Sequence, residues 1–211
     1  MSFPRMTSLC ISTGVRACTA LIGITLTAVP TFAQRAEIDS SKSVITVHVF
    51  KSGLFSSFAH DHVIQAPVAS GGIDVQEKSV TLTFNVADMK VLDPGTSDSE
   101  RKDIDATMKG PKVLDGAQFP AIGFTSSSVK ASGADRNEVT GTLKVHGVSR
   151  QITASVTIHE GKYSGSLTLK QTDYGITPVK IAGGAVRVKD EIAIEFEVVP
   201  VSASAVHGTN H

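Results

Sequence analysis

A period-two alternation of apolar and polar residues, recurring in six segments, constrains this chain more than any other feature. In residues 43–50 (SVITVHVF) it sets Ile45, Val47 and Val49 on one side and Val44, Thr46, His48 and Phe50 on the other. In residues 79–87 (SVTLTFNVA) it turns Val80, Leu82, Phe84 and Val86 inward. The pattern returns in 139–146, 151–158, 163–170 and 191–199, the last with Ile192, Ile194, Phe196 and Val198 inward and Glu191, Ala193, Glu195 and Glu197 toward water. Clean alternation means antiparallel strands with one solvated face. Asp135-Arg136-Asn137, Glu160-Gly161-Lys162 and Gly183-Gly184 mark turns. Only the stretch between Pro94 and Pro120 reads as helix, with Ser97 or Asp98 as cap, Ile104 and Met108 on one face, and Gly110-Pro111 as the stop. Its thin apolar stripe predicts a short helix packed over a barrel mouth. About eight strands with one helical excursion fit an all-β sandwich or a closed barrel.

The amino terminus reads differently. Residues 1–33 hold Arg5 and Arg16, no acid, and the apolar run Ala17–Val29. Pro30 breaks the run, and Thr31-Phe32-Ala33 places small residues before a cut after Ala33. This is the layout of a signal peptide, and a run of about 13 residues is short of the ~20 that span a bilayer. The expected mature chain, 34–211, is a barrel domain over 34–200 and a flexible tail over 201–211, with no permanent membrane anchor. Removing the signal takes Cys10 and Cys18 with it, so no disulfide, thiol nucleophile or cysteine metal ligand remains. It also turns a balance of 20 basic and 20 acidic residues into a formal charge of about −2. No basic surplus points to nucleic acid.

Few residues suggest chemistry. His60-Asp61-His62 is the most conspicuous polar cluster, preceded by Phe55 and Phe58. On an extended backbone His60 and His62 point the same way and could hold a metal with a distant partner such as His48, His146 or His159. Equally, Asp61 could fix an imidazole tautomer in a structural or ligand-orienting cluster. No Gly-x-Ser-x-Gly elbow occurs, and Ser164-Gly165-Ser166 lies within a regular strand. Asp173 and Asp190 read as loop-end carboxylates rather than a catalytic pair. Small residues at strand positions, among them Gly141, Ala154 and Gly165, are compatible with internal volume or with tight bends and bulges. A β protein with an apolar interior and few placed polar groups suits a carrier of a greasy small molecule, and suits an inert domain as well.

Four ordered motifs carry a family resemblance. Ile38-Asp39-Ser40-Ser41-Lys42-Ser43 is similar to an "ID…HS" first strand, with Lys42 where a histidine often stands. Gln118–Ser126 (QFPAIGFTS) is similar to "YP-x-I-x-F-x-S", with Phe119 in the tyrosine position. Thr140–Arg150 (TGTLKVHGVSR) resembles "G-x-L-T-x-H-G-V-T-K/R", and Thr172–Ile176 (TDYGI) resembles "R-x-D-F/Y-G-I". On these motifs the chain, from about Ala36 to Val199, resembles the YceI-like family of bacterial polyisoprenoid-binding proteins. It departs from the family pattern where Phe50–Leu54 through His60–Ile64 replace an "H-x-G-x-S-x-V-x-G-x-F" region.

The resemblance implies an eight-stranded antiparallel lipocalin-like barrel around an elongated apolar pore, export to the periplasm, a homodimer, and no enzymatic activity or cofactor. The implied partner is an isoprenoid or other long apolar molecule, its polar head near the mouth. The inward candidates for that pore are Val47, Phe58, Phe84, Phe124, Leu143, Val145, Val156, Leu167, Leu169, Ile176, Ile194 and Phe196, and the candidates for the head are His60, His62, His146 and Asp173. The alternatives are a metal-dependent or metal-binding protein built on His60 and His62, and a structural or interaction domain.

Overall fold

The computed structural model describes residues 35–52, 61–181 and 185–201. The chain divides into a unit of residues 1–32, outside the described residues, and a unit of residues 33–211 that carries all the structure below. The expected signal segment and nearly all of the expected tail therefore lie outside the described residues.

Twelve strands and one helix follow in order. They are β1 (Arg35–Glu37), β2 (Val44–Ser52), β3 (His62–Gln65), β4 (Ser70–Asp74), β5 (Ser79–Asn85), β6 (Lys90–Val91), α1 (Asp98–Lys109), β7 (Ala121–Ala131), β8 (Arg136–Val145), β9 (Val148–His159), β10 (Lys162–Lys170), β11 (Lys180–Ile181) and β12 (Val186–Val198). All pairings are antiparallel and form one sheet of order β1-β4-β5-β7-β8-β9-β10-β12-β2-β3-β6, with β11 on β12. The molecule is thus mostly β, a curled sheet with one helical insertion. It differs from the expected closed barrel of eight strands. One reason is Pro67, which has no N–H to give a ladder and separates β3 from β4. The other is that β1, β6 and β11 are two or three residues long, too short to leave a period-two signature.

Local sequence explains the tight turns. Val145 faces Val148 across a two-residue loop in which His146 (φ 50°) and Gly147 (φ 74°) both take positive φ, as a type I′ hairpin requires. A side chain at Gly147 would also strike the Phe119 ring, 2.6 Å from its would-be Cβ. Glu160-Gly161 repeats the same geometry between β9 and β10. The connection before β8 falls at 132–135, so Arg136 and Asn137 belong to the strand and not to the expected turn. Gly183-Gly184 lies outside the described residues.

Two register shifts bend the sheet: one near Ser127 between β7 and β8, one between Val188 and Ile192 of β12 against β2. An extra residue on one strand increases local twist and curls the sheet. The strand glycines serve close packing. A Cβ at Gly141 or Gly165 would stand about 2.5 Å from the ring of Phe124 or 2.6 Å from that of Phe196. Ala154, by contrast, does border internal space.

Helix α1 is capped by Ser97, whose hydroxyl accepts from Glu100 N–H at 3.3 Å, and Gly110 terminates it. Asp98 and Glu100 sit in its first turn and Lys109 in its last, the arrangement that complements the helix dipole. Met108 is buried and Ile104 packs against the core. The chain then folds back, Leu114 N–H donating to Met108 O, and buries Leu114 beside it.

Candidate functional site

The inward faces of nine strands (β2, β3, β4, β5, β7, β8, β9, β10 and β12) line a cavity of about 450 Å³. Period-two alternation is what puts one face of each strand there: Ile45, Val47 and Val49 from β2, Val80, Leu82 and Phe84 from β5, Ile192, Ile194, Phe196 and Val198 from β12. Eleven of the sixteen residues picked from the sequence lie on this lining: Val47, Phe84, Phe124, Leu143, Val145, Val156, Leu167, Leu169, Ile176, Ile194 and Phe196. Phe58 and His60 lie outside the described residues.

The remaining three are not on the lining, and each has a local explanation. His62 pairs with Val49 at the end of β3 and donates from Nδ1 to Asp93 Oδ2 at 2.6 Å. Asp93 is 1% exposed and also accepts from Val63 N–H at 2.7 Å. His146 forms the β8–β9 turn, donates from Nδ1 to Tyr174 O at 3.3 Å, and stands edge-on to Phe119, centroids 4.9 Å apart. Asp173 is exposed in a short 3-10 turn after β10. Asp61 is also engaged, accepting from Lys51 N–H at 2.9 Å. Among the described residues no group of three His, Cys, Asp or Glu side chains is placed to hold a metal ion.

The two ends of the cavity differ. At the end carrying α1, the lining side chains Met89, Met108, Leu114, Tyr174 and Ile176 are all buried. The expected helix over a mouth is therefore a helix over a packed end among the described residues. At the opposite end the lining includes exposed Val75, Lys78 and Ala131, from the β4–β5 turn and the β7–β8 hairpin. Val75 is 66% exposed, the most of any large apolar side chain described. Lys170, the other exposed lining residue, follows inward Leu169 and so takes the outward position. The cavity opens between the β4–β5 turn and the β7–β8 hairpin.

Few polar side chains border the space. Asp74 accepts from Gln76 N–H at 3.0 Å and Glu77 N–H at 2.8 Å, which fixes the β4–β5 turn. Gln171 donates from Nε2 to Lys189 O at 2.8 Å. Asp190 holds the neighbouring 3-10 turn by accepting from the Thr172 hydroxyl and N–H, which keep its carboxyl below the ordinary carboxylate range. Tyr174 is 4% exposed, and its hydroxyl has no hydrogen-bond partner among the described residues. Burial pushes the Tyr174 phenol up, with a further contribution from Asp173, so it stays protonated. A buried, unmatched hydroxyl is unfavourable. Tyr174→Phe is accordingly expected to raise stability by about 1 kcal/mol, read as a Tm increase of roughly 2–4 °C; a lower Tm would mean the hydroxyl is matched.

Sequence reasoning missed several lining residues that the same alternation marks, including Ile73, Ile122, Ile152 and Ala154. It had no signal for Asp93, whose partner lies 31 residues away, or for Lys78, which reaches the lining only through turn geometry.

The comparisons agree with this architecture. The UPF0312 protein of Pseudomonas syringae pv. syringae is 32% identical over 99 residues, covering 42% of this chain and 50% of that protein. The UPF0312 protein of Azotobacter vinelandii is 30% identical over 95 residues, covering 40% and 50% respectively. The chain spans about half the length of the curated relatives it matches. The crystal structure of Burkholderia cenocepacia BcnA is similar in fold, with a TM-score of 0.56 and 22% identity, covering 76% of this chain and 98% of that one. The YceI-like domain profile matches residues 37–199, most of the chain and every strand from β2 to β12, and on that match the chain belongs to the YceI-like family.

Proposed function

We propose that this protein binds and carries a long apolar small molecule, an isoprenoid lipid of polyprenyl or quinone type, in the cavity of the curled sheet. The observation that supports this most is the cavity itself, bordered on nine strands almost wholly by aliphatic and aromatic side chains. Each buried methylene contributes about 0.8 kcal/mol, so an extended hydrocarbon is held without many polar contacts. Catalysis would need reactive side chains brought within reach of one another, and this reading requires none.

The same reading treats β3 and β4 as halves of one bent strand. Ala66 N–H donates to Ile45 O on β2, and Ala69 N–H donates to Thr83 O on β5, carrying the ladder across Pro67. Counted so, the eight strands of this reading are β2, β3 with β4, β5, β7, β8, β9, β10 and β12. Export to the periplasm and removal of residues 1–33 complete the proposal; their support is the amino-terminal sequence.

Native mass spectrometry of the protein isolated from its exporting host tests this. The expected result is a mature chain beginning at residue 34 that carries an extractable isoprenoid, and the same spectrum reads whether one or two chains assemble. Protein that is folded, ligand-free and refractory to isoprenoid loading would overturn it.

A further inference from the structure

We infer that the ligand carries an anionic head group, a carboxylate or a phosphate, held by Lys78 at the open end of the cavity, at the opposite strand ends from His62 and His146. The inference rests on the apolar-ligand reading above and adds the head-group class and its place.

Three observations lead to it. First, the exposed part of the lining is the β4–β5 turn and the β7–β8 hairpin, so a chain threaded into the apolar interior leaves its head there. His62, His146 and Asp173 belong to the opposite strand ends, where the lining side chains other than Lys170 are buried or half-buried.

Second, the polar side chains bordering the open end are Asp74, Lys78, Ser79, Asn137 and Tyr163. Asp74, itself buried, accepts from the amides of Gln76 and Glu77 through Oδ1. The side chains of Lys78, Ser79, Asn137 and Tyr163 have no ion pair or hydrogen bond among the described residues. Unengaged at the opening are one ammonium, one hydroxyl, one amide and one phenol, a donor-rich set suited to oxygen anions.

Third, Lys78 stands at φ 49°, the left-handed region that L-residues seldom occupy. The turn that Asp74 fixes holds its backbone, so the lysine is carried on a set framework at the rim. Its long stem can lie along apolar lining while the ammonium stays in water. Glu77, next to it, makes no ion pair with it.

The test is competition by oleate, oleyl phosphate and oleyl alcohol against an apolar fluorophore, on the mature chain and on Lys78→Gln, Lys78→Glu and His146→Asn. His146→Asn keeps a residue that tolerates the left-handed turn, so it probes the other end without breaking the hairpin. The expected result is that wild type prefers the anions over the alcohol by up to about fivefold at low salt. Lys78→Gln should erase that preference, Lys78→Glu reverse it, and His146→Asn leave it alone, while affinity for the alcohol stays constant. The two anionic arms separate carboxylate from phosphate. An anion preference that survives in Lys78→Glu, is absent in wild type, or moves with His146 would overturn the inference while the apolar-ligand reading stands. Failure of all three competitors, the alcohol included, would overturn both.

Discussion

Replacing Asp93 with alanine is expected to lower the unfolding free energy by about 3–5 kcal/mol. Asp93 is 1% exposed and ties the chain after β6 to β3 through one carboxylate: His62 Nδ1 at 2.6 Å and Val63 N–H at 2.7 Å. It stands just before Pro94, at the point where the chain leaves β6 for α1. Removing the carboxylate leaves a half-buried imidazole and a backbone N–H without their acceptor, and the cost of unmatched groups exceeds the net value of the bonds lost. Asp93→Asn retains an oxygen for Val63 N–H and should fall between wild type and alanine. Urea denaturation measures the difference, and hydrogen exchange locates it. Exchange should accelerate across 86–119, because that segment supplies Met89, Met108 and Leu114 to the packed end of the cavity. An alanine variant within 1 kcal/mol of wild type would mean that the buried pair does not anchor the insertion.

The second large effect concerns binding. Ala154 lies on the inward face of β9, between Ile152 and Val156, and borders the cavity. Tryptophan at that position projects into existing space rather than into packed neighbours, so the structural cost stays well below that of overfilling a tight core. It takes volume from the ligand. Displacing about four methylenes at about 0.8 kcal/mol each amounts to roughly a hundredfold loss of affinity. The fold should survive, because the strand register of β9 against β8 and β10 does not depend on the side chain at 154.

How much of this could be read in advance depends on the kind of interaction. Alternation is a local property, so the cavity-facing sides of β2, β5 and β12 were legible down to single residues such as Val47, Phe84 and Phe196. The strand count and the curl of the sheet were not, because they depend on Pro67, on the register shift near Ser127, and on strands too short to show a pattern. The polar residues were harder still. His146 stands out in a motif, yet its conformation is that of a hairpin turn, with φ 50° followed by glycine. His62 stands out beside His60, yet its partner is a carboxylate 31 residues away that no spacing announces. Lys78 looks like any surface lysine until the β4–β5 turn places it on the cavity rim. Apolar pattern reports which face is inside; it does not report which end of that face is open.

The central claim is that the space between the strands holds an apolar ligand. The most direct measurement is titration of wild type and Ala154→Trp with N-phenyl-1-naphthylamine, an apolar fluorophore that brightens on leaving water, with circular dichroism recorded on both. The account predicts saturable binding of one fluorophore per wild-type chain and binding weakened roughly a hundredfold in the variant, with superimposable dichroism spectra. Equal binding by two equally folded proteins would place the fluorophore outside the cavity and contradict the account.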